Sequence, residues 1–364
     1  MTQFTPDDHL FMMQALRLAK QGLNTSMPNP RVGCLIVKDG KVIGEGAHLR
    51  AGTPHAEVHA IQQASVSTNG ATAYVTLEPC SHHGRTPPCA EALINAGVTK
   101  VVIAMQDPNP LVSGQGVALL KAAGIEVLIG LMQQQAQALN PGFIKRMTQR
   151  MPYIRSKIAT SLDGKTALSN GVSQWITSAA SRTDVQHWRA RSCAIMTGIG
   201  TVLQDNPSLT VRDLEIGRQP LCVIVDSQLR IPIEAKVLNN KHVLIAFATD
   251  VESKASQLTA LGVELLCIPN EMGKVCLTSL LSHLASIEIN ELLVEAGEGL
   301  NGALMQLKQI DELVIYYAPK LMGNEGKSLF ALPKLQTMAE AIDLNIVDVR
   351  QVGPDIRVLA NCAH

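Results

Sequence analysis

The sequence predicts two α/β domains in tandem, and three observations carry that prediction. Short apolar runs suited to buried strands alternate with helical patterns in both halves of the chain. At 364 residues the chain exceeds one average domain and can bury two cores. The motif vocabulary changes across a stretch punctuated by Pro141-Gly142 and Met151-Pro152. That places the division between about 145 and 152, as domains 1–147 and 148–364.

Composition narrows the function classes. Hydrophobic residues make up 46% and charged residues 17%, the balance of a globular protein. Lys+Arg and Asp+Glu are equal at 31 each, so no surplus positive charge is available to coat a phosphate backbone. A small-molecule partner is expected, and no nucleic acid. No apolar run reaches the ~18 residues of a membrane span, and M-T-Q-F-T-P-D-D-H-L has neither the basic start nor the apolar core of a signal peptide. Eight cysteines, mostly within apolar segments, read as reduced and buried, which points to the cytoplasm.

In chain order, Pro6 at a first helical position with Asp7 and Asp8 behind it opens a helix that runs to about Gln21, where Gly22 stops it. Val32–Val37 and Lys41–Glu45 form a hairpin about Asp39-Gly40. Before the hairpin, prolines at 28 and 30 hold Asn29 in an extended loop, where it either reads the polar edge of a flat heterocycle or caps a turn. Thr53-Pro54 starts a helix with His55 in its first turn. Thr72–Leu77 is a strand leading to Cys80, and Cys89 opens the next helix, so its thiolate gains from the helix N-terminus. Strand 100–105, the loop D-P-N-P at 107–110, helix 116–123, strand 125–129 and a helix from about Gln133 complete a three-layer unit with a mixed sheet.

His55, Cys80 and Cys89 are one imidazole and two thiols, a donor set suited to Zn²⁺ with a fourth position left for water. Glu57, two residues beyond His55, is too near along the chain to ligate comfortably and well placed to take a proton from that water. H-x-E followed by P-C is the pattern of a zinc deaminase. His55 and His59 share a helix face, but a metalloprotease pattern needs Glu directly after the first His, and that position is Ala56.

Eight residues, S-H-H-G-R-T-P-P, separate Cys80 from Cys89, unlike the P-C-x-x-C of cytidine, tRNA-adenosine and polynucleotide deaminases. This half resembles the deaminase half of the bifunctional riboflavin-biosynthesis family that joins a diaminohydroxyphosphoribosylaminopyrimidine deaminase to a 5-amino-6-(5-phosphoribosylamino)uracil reductase. P-N-P-x-V-G, A-G-x-P-H-A-E, T-L-E-P-C-x-H-x-G-x-T-P-P-C and D-P-N-P carry the resemblance. It implies a cytidine-deaminase-like domain that removes the pyrimidine 2-amino group as ammonia. His82, His83 and Arg85 in the long loop either contact a phosphorylated substrate or are simply solvated.

The second half opens with strand Ile154–Ala159 and a Ser/Thr/Gly-rich loop holding Trp175, placed more as a ligand contact than as core. A helix with Arg182, Arg189 and Arg191 follows, then strand Ala194–Thr197, the segment 198–212, and strands at 221–225, 242–247 and 263–268 alternating with helices. Gly297, Gly299 and Gly302 spell G-x-G-x-x-G between a strand and a helix. A Rossmann fold does not follow. The motif lies late in its domain, and Ala318-Pro319-Lys320 stands where an acid should meet a ribose. The glycines still permit close approach of a pyrophosphate to a helix N-terminus.

K-I-A-T-S-L-D-G-K-T-A, S-x-W-I-T, T-V-L-x-D-N-P-x-L-T-V-R and V-E-A-G-x-x-L are similar to the reductase half of the same family. The resemblance implies a dihydrofolate-reductase-like α/β domain that uses NADPH to reduce the ribose to a ribityl chain. Carried across residue by residue, Ala159, Trp175, Thr201, Asp205 and Gly297, Glu298, Gly299, Leu300, Asn301, Gly302 and Ala303 line the NADPH site. Ser173, Arg189, Leu209, Arg212 and Glu295 hold the substrate; the two arginines suit a ribose phosphate, and Glu295 binds hydroxyls or assists proton transfer. A homo-oligomer is expected, with a phosphoribosyl pyrimidine as substrate and no membrane partner. Two other readings stay open: a nucleobase or tRNA deaminase fused to an unrelated reductase, or a structural-zinc nucleotide-sensing module, which needs a fourth protein ligand.

Overall fold

The computed structural model describes residues 4–81, 88–110, 112–214 and 216–363. The chain divides into two compact units, Met1–Arg150 and Met151–His364. The sequence-derived break at 147/148 falls inside the last helix of the first unit, α6 below, which runs to Gln149.

The first unit comprises α1 (Pro6–Ala19), β1 (Gly33–Lys38), β2 (Lys41–Ala47), α2 (Ala56–Gln62), β3 (Thr72–Val75), α3 (Cys89–Asn95), β4 (Lys100–Ile103), α4 (Gln115–Ala122), β5 (Glu126–Ile129), α5 (Gln133–Leu139) and α6 (Pro141–Gln149). Its sheet has the order β2-β1-β3-β4-β5. β1 pairs antiparallel with β2 and β3, while β3, β4 and β5 run parallel, so the sheet is mixed. The Thr5 side chain accepts from the Asp8 amide and Asp8 answers onto the Thr5 amide, a reciprocal cap that fixes where α1 begins. Glycines let helices lie directly on the sheet. A Cβ at Gly33 would stand 2.0 Å from the Ala15 carbonyl of α1, and one at Gly46 2.0 Å from the Ala56 carbonyl of α2.

The second unit comprises β6 (Tyr153–Ser161), α7 (Ala179–Ala190), β7 (Ala194–Gly198), α8 (Ile199–Asp205), β8 (Leu221–Val225), β9 (Val243–Phe247), α9 (Ala255–Ala260), β10 (Glu264–Cys267), α10 (Leu277–Ser286), β11 (Glu291–Val294), α11 (Glu298–Gln306), β12 (Glu312–Ala318), β13 (Leu344–Val352) and β14 (Asp355–Cys362). The order is β10-β9-β8-β7-β11-β6-β12-β14-β13. From β10 to β12 every pair is parallel, which explains the continuous apolar strands. The antiparallel β13–β14 hairpin closes one side. The chain reverses its direction of winding between β7 and β11, and the loops after β6, β7, β8 and β11 gather at the carboxyl ends of the strands, where ligands of open α/β sheets bind. Among the described residues no helix is long and apolar enough to cross a membrane.

Candidate active sites

The metal centre is built at three chain junctions of the first unit. His55 is the N-cap of α2, with extended backbone at φ −77° and ψ 168°, so it precedes the first turn rather than lying in it as the sequence pattern suggested. That position turns its ring toward Cys80, beyond β3, and Cys89, the first residue of α3. His55 Nδ1 stands 3.3 Å from Cys89 Sγ and 3.7 Å from Cys80 Sγ, and the three ligand atoms all lie within 4.8 Å of one another. One nitrogen and two sulfurs at this spacing fit tetrahedral zinc with a vertex to spare. Among the described residues no further His, Cys, Asp or Glu joins the group. His82, His83 and Arg85 lie outside the described residues.

The thiols behave as a coupled pair. Hydrogen bonding from Cys89 pulls the Cys80 thiol down to about 4, and the same pairing pushes Cys89 up. The Cys89 amide also donates to Cys80 Sγ at 3.3 Å, so the start of α3 favours the anion. A divalent cation removes the remaining repulsion between two thiolates. Glu57 is 3% exposed, and burial first, then the neighbouring Cys80, push its carboxyl up to about 7. A carboxyl that exchanges its proton near neutral pH beside a metal-bound water is the arrangement general acid–base chemistry needs.

Glu78 was not singled out from the sequence. It is buried, and its carboxylate accepts from the amides of Asp107, Gly114 and Val117 at 3.1, 3.1 and 3.2 Å, tying the 107–117 segment to the chain two residues before Cys80. Asn29 pairs with His48, whose ring packs edge-on against the His55 ring at 5.0 Å between centroids.

In the second unit a cleft of about 1030 Å³ opens along the carboxyl ends of β6, β11, β7 and β8. Ala159, Ser173, Trp175, Arg189, Thr201, Asp205, Leu209, Arg212, Glu295, Gly297, Glu298, Gly299, Leu300 and Ala303 all line it. Asn301 and Gly302 do not. Asn301 is fully buried, donating to the Ala296 carbonyl and accepting from Ser156 Oγ, and a Cβ at Gly302 would stand 2.3 Å from the Ala331 carbonyl. Once α11 has begun, these two positions turn inward and fasten the glycine loop rather than face a ligand. A Cβ at Gly200, Gly297 or Gly299 would meet no protein atom within 4 Å, so space stands open over these backbones. Bare backbone at the N-terminus of nine-residue α11 suits a pyrophosphate.

Charge concentrates beneath the cleft. Arg189 grips Glu295 with both arms, Nε to Oε1 at 2.6 Å and Nη2 to Oε2 at 3.0 Å, and its Nη1 donates to the Thr210 carbonyl. The fork expected to hold a phosphate is thus already filled by a carboxylate. Arg212 is exposed, and its guanidinium has no hydrogen-bond partner among the described residues, which leaves it open to an anion. Lys157 Nζ lies 3.9 Å from Glu295 Oε2. Burial alone would raise the Glu295 carboxyl, but Arg189 and then Lys157 outweigh it and bring it to about 2. Burial lowers the Lys157 ammonium, and Glu295 only partly opposes that. Ser173 Oγ donates to Asp205 Oδ1 at 2.7 Å, joining two predicted contacts. Trp175 is 63% exposed with the Arg182 guanidinium 4.5 Å from its ring centroid, so it stands as a wall of the cleft rather than as core.

The sequence reading missed Lys157, Ser227, Arg230, Lys236 and Lys274, which also line the cleft. A signal for Lys157 existed: Arg155 and Lys157 are charged residues inside a largely buried parallel strand, and such charges are paired or functional. Ser227, Arg230 and Lys274 come from loops, and Lys236 from the start of a short 3-10 helix, that the fold alone brings to the cleft.

The two units thus define a chain that couples a zinc deaminase domain to a nucleotide-dependent reductase domain. Residues 5–105 match the family model of the cytidine and deoxycytidylate deaminase zinc-binding region, and residues 152–358 match that of the RibD C-terminal domain. Over 98% of both chains, the sequence is 48% identical to the riboflavin biosynthesis protein RibD of Escherichia coli strain K12. The structure superimposes on Acinetobacter baumannii RibD with a TM-score of 0.92 at 47% identity, covering 98% of this chain and 99% of that one. The diaminohydroxyphosphoribosylaminopyrimidine deaminase/5-amino-6-(5-phosphoribosylamino)uracil reductase of Thermotoga maritima gives 0.87 at 34% identity, with the same coverage. The chain belongs to the RibD family of riboflavin-biosynthesis proteins.

Proposed function

We propose that the residues above perform two consecutive reactions on one substrate skeleton: hydrolytic deamination of 2,5-diamino-6-(5-phosphoribosylamino)pyrimidin-4-one, then reduction of the ribose of 5-amino-6-(5-phosphoribosylamino)uracil. The observation that carries the reading is the trio of His55, Cys80 and Cys89 with buried Glu57 beside it and no fourth protein ligand among the described residues. A structural zinc site would close that fourth position.

Zinc and NADPH are the cofactors. Zinc, when bound, makes a water acidic enough to supply hydroxide near neutral pH. Glu57 takes the proton of the attacking water and delivers it to the departing amino group, so water enters and ammonia leaves with no net change at the carboxyl. Asn29 holds the polar edge of the pyrimidine. In the second unit NADPH, when bound, would provide the hydride chemistry that reduces the anomeric carbon of the sugar. The ring oxygen must gain a proton as the ring opens, and Lys157, made a stronger acid by burial, stands in the cleft to give it. Glu295 holds Lys157 and Arg189 in place and faces the sugar hydroxyls. Arg212 takes the phosphate, and the backbone of 297–299 approaches the NADPH pyrophosphate.

We also infer a homo-oligomer. β13 is an edge strand, and Ile346, Val347 and Val349 on it are 62%, 58% and 58% exposed. An apolar edge strand with unpaired backbone groups favours a second copy as its cover. A turnover assay checks the two reactions: the diamino ribotide should release ammonia without NADPH and yield the ribityl product only with it. Failure to release ammonia from a zinc-loaded sample would refute the first assignment.

A further inference from the structure

The loop 207–213, between α8 and β8, carries Leu209 and Arg212 to the cleft with no helix or strand of its own. Asn206, Leu209 and Asp213 have φ of 42°, 51° and 62°, left-handed values that residues other than glycine keep only where their surroundings impose them. Among the described residues, no main-chain group pairs with the main chain of 207–213. Side chains hold it instead. Asn240 Nδ2 donates to the Ser208 carbonyl at 2.7 Å, and Arg189 Nη1 to the Thr210 carbonyl at 2.9 Å. The Gln219 amide serves Val211 twice, as a neighbouring strand would: Oε1 accepts from its N–H at 2.8 Å and Nε2 donates to its carbonyl at 3.0 Å. Gln186 Oε1 accepts from the Arg212 N–H at 2.9 Å. Gln186 is 5% exposed and lines the cleft, and its Nε2 donates to the Arg182 carbonyl at 3.4 Å. With an N–H opposite one end and a carbonyl opposite the other, its amide has a single orientation. The main chain of Arg212 is thus fixed while its charged end stays unpaired.

We propose that Gln186 is a positioning residue for the reduction: it fixes the main chain of Arg212 from inside the protein, with Gln219 as the outer clasp on Val211, so that the free guanidinium is already placed for a phosphate when substrate arrives. The inference rests on the reading of Arg212 as the phosphate contact. It adds that the choice of a phosphorylated over a dephosphorylated sugar depends on two neutral amides that touch neither the phosphate nor the guanidinium. Without the clasps, substrate binding would have to order the loop as well as fill the cleft. The left-handed Leu209 sharpens the effect, since a loop holding strained residues relaxes away from its bound shape once a clasp is removed.

The test is a mutant cycle on the full chain. It follows steady-state reduction of the deaminated intermediate with and without its phosphate, NADPH affinity by equilibrium titration, and ammonia release as a control on the first unit. Gln186→Met keeps the reach of the side chain and removes its amide. KM for the phosphorylated substrate should rise about tenfold, with kcat within about twofold of wild type, while kcat/KM for the dephosphorylated substrate moves by less than about twofold. NADPH affinity and ammonia release should stay at wild-type values. Gln219→Ala, on the exposed side of the loop, should give the same pattern at about threefold, and it carries the test if the buried variant fails to fold. In the Arg212→Ala background neither substitution should add to KM. An equal loss on both substrates, a loss carried by NADPH affinity, or a penalty that persists beside Arg212→Ala would overturn the positioning role while leaving Arg212 as a contact. Unchanged KM in both clasp variants, where Arg212→Ala raises it, would overturn that role too. No effect of Arg212→Ala on the phosphorylated substrate would instead refute the Arg212 reading and the inference with it.

Discussion

Replacing Glu295 by Gln should destabilise the reductase domain without altering its shape. The substitution keeps the volume and removes one charge from a buried group in which Arg189 and Lys157 remain as unmatched cations. The magnitude follows from the carboxyl itself. Its fall from 4.5 to about 2 in the folded protein, at about 1.36 kcal/mol per tenfold in acidity, corresponds to about 3 kcal/mol. Breaking buried ion pairs by removing one partner costs ~3–5 kcal/mol, the same range. Because the folded-state value is depressed, the contribution is complete above pH 4.5 and is lost only as pH falls toward 2. The deficit of the variant should therefore be constant from pH 5 to pH 8. In a domain of this size it should lower the melting temperature by about 6–12 °C. Calorimetry of the full chain measures it, with NADPH added to mark the reductase transition by its upward shift. A melting point within about 2 °C of wild type, or a deficit that fades between pH 5 and 8, would refute the reasoning.

Three further outcomes follow. Gly299→Val should cut NADPH affinity by at least about tenfold while leaving the melting temperature near that of wild type, because the added side chain enters open cleft space rather than protein; equilibrium titration of NADPH fluorescence reads it. Arg212→Ala should raise KM for the phosphorylated intermediate about ten- to a hundredfold, with kcat nearly unchanged; steady-state NADPH oxidation distinguishes this from a loss of kcat. Ile346→Lys should shift the chain toward monomer in light scattering, and an unchanged mass would exclude β13 as the interface.

The metal site was legible in the sequence because its chemistry is local. His55 and Glu57 sit two residues apart, Cys80 and Cys89 each stand at a junction marked by proline, and the ligand types alone select zinc. The register of the helix was less legible. His55 proved to be a cap, since the pattern T-P-H-A-E fits a start at either residue. In the second unit, motif position predicted cleft lining well but not which way each side chain faces: Asn301 and Gly302 belong to the same run as Gly299, and the turn of α11 sends them inward. The pairing of Arg189 with Glu295 spans 106 residues, and no local pattern shows that its fork is filled. The full strand order also escaped the sequence reading, since a parallel sheet assembled through crossovers leaves no register signal between neighbours distant in the chain; the antiparallel β13–β14 hairpin was missed as well.

Glu57→Ala tests the account at its centre. Supplied with the diamino ribotide and NADPH, the variant should keep its zinc and release ammonia about 10²–10⁴-fold more slowly than wild type. Given the deaminated intermediate instead, it should oxidise NADPH at the wild-type rate. Ammonia release at the normal rate from the zinc-loaded variant would contradict the role assigned to Glu57, and with it the reading of the site as a zinc deaminase.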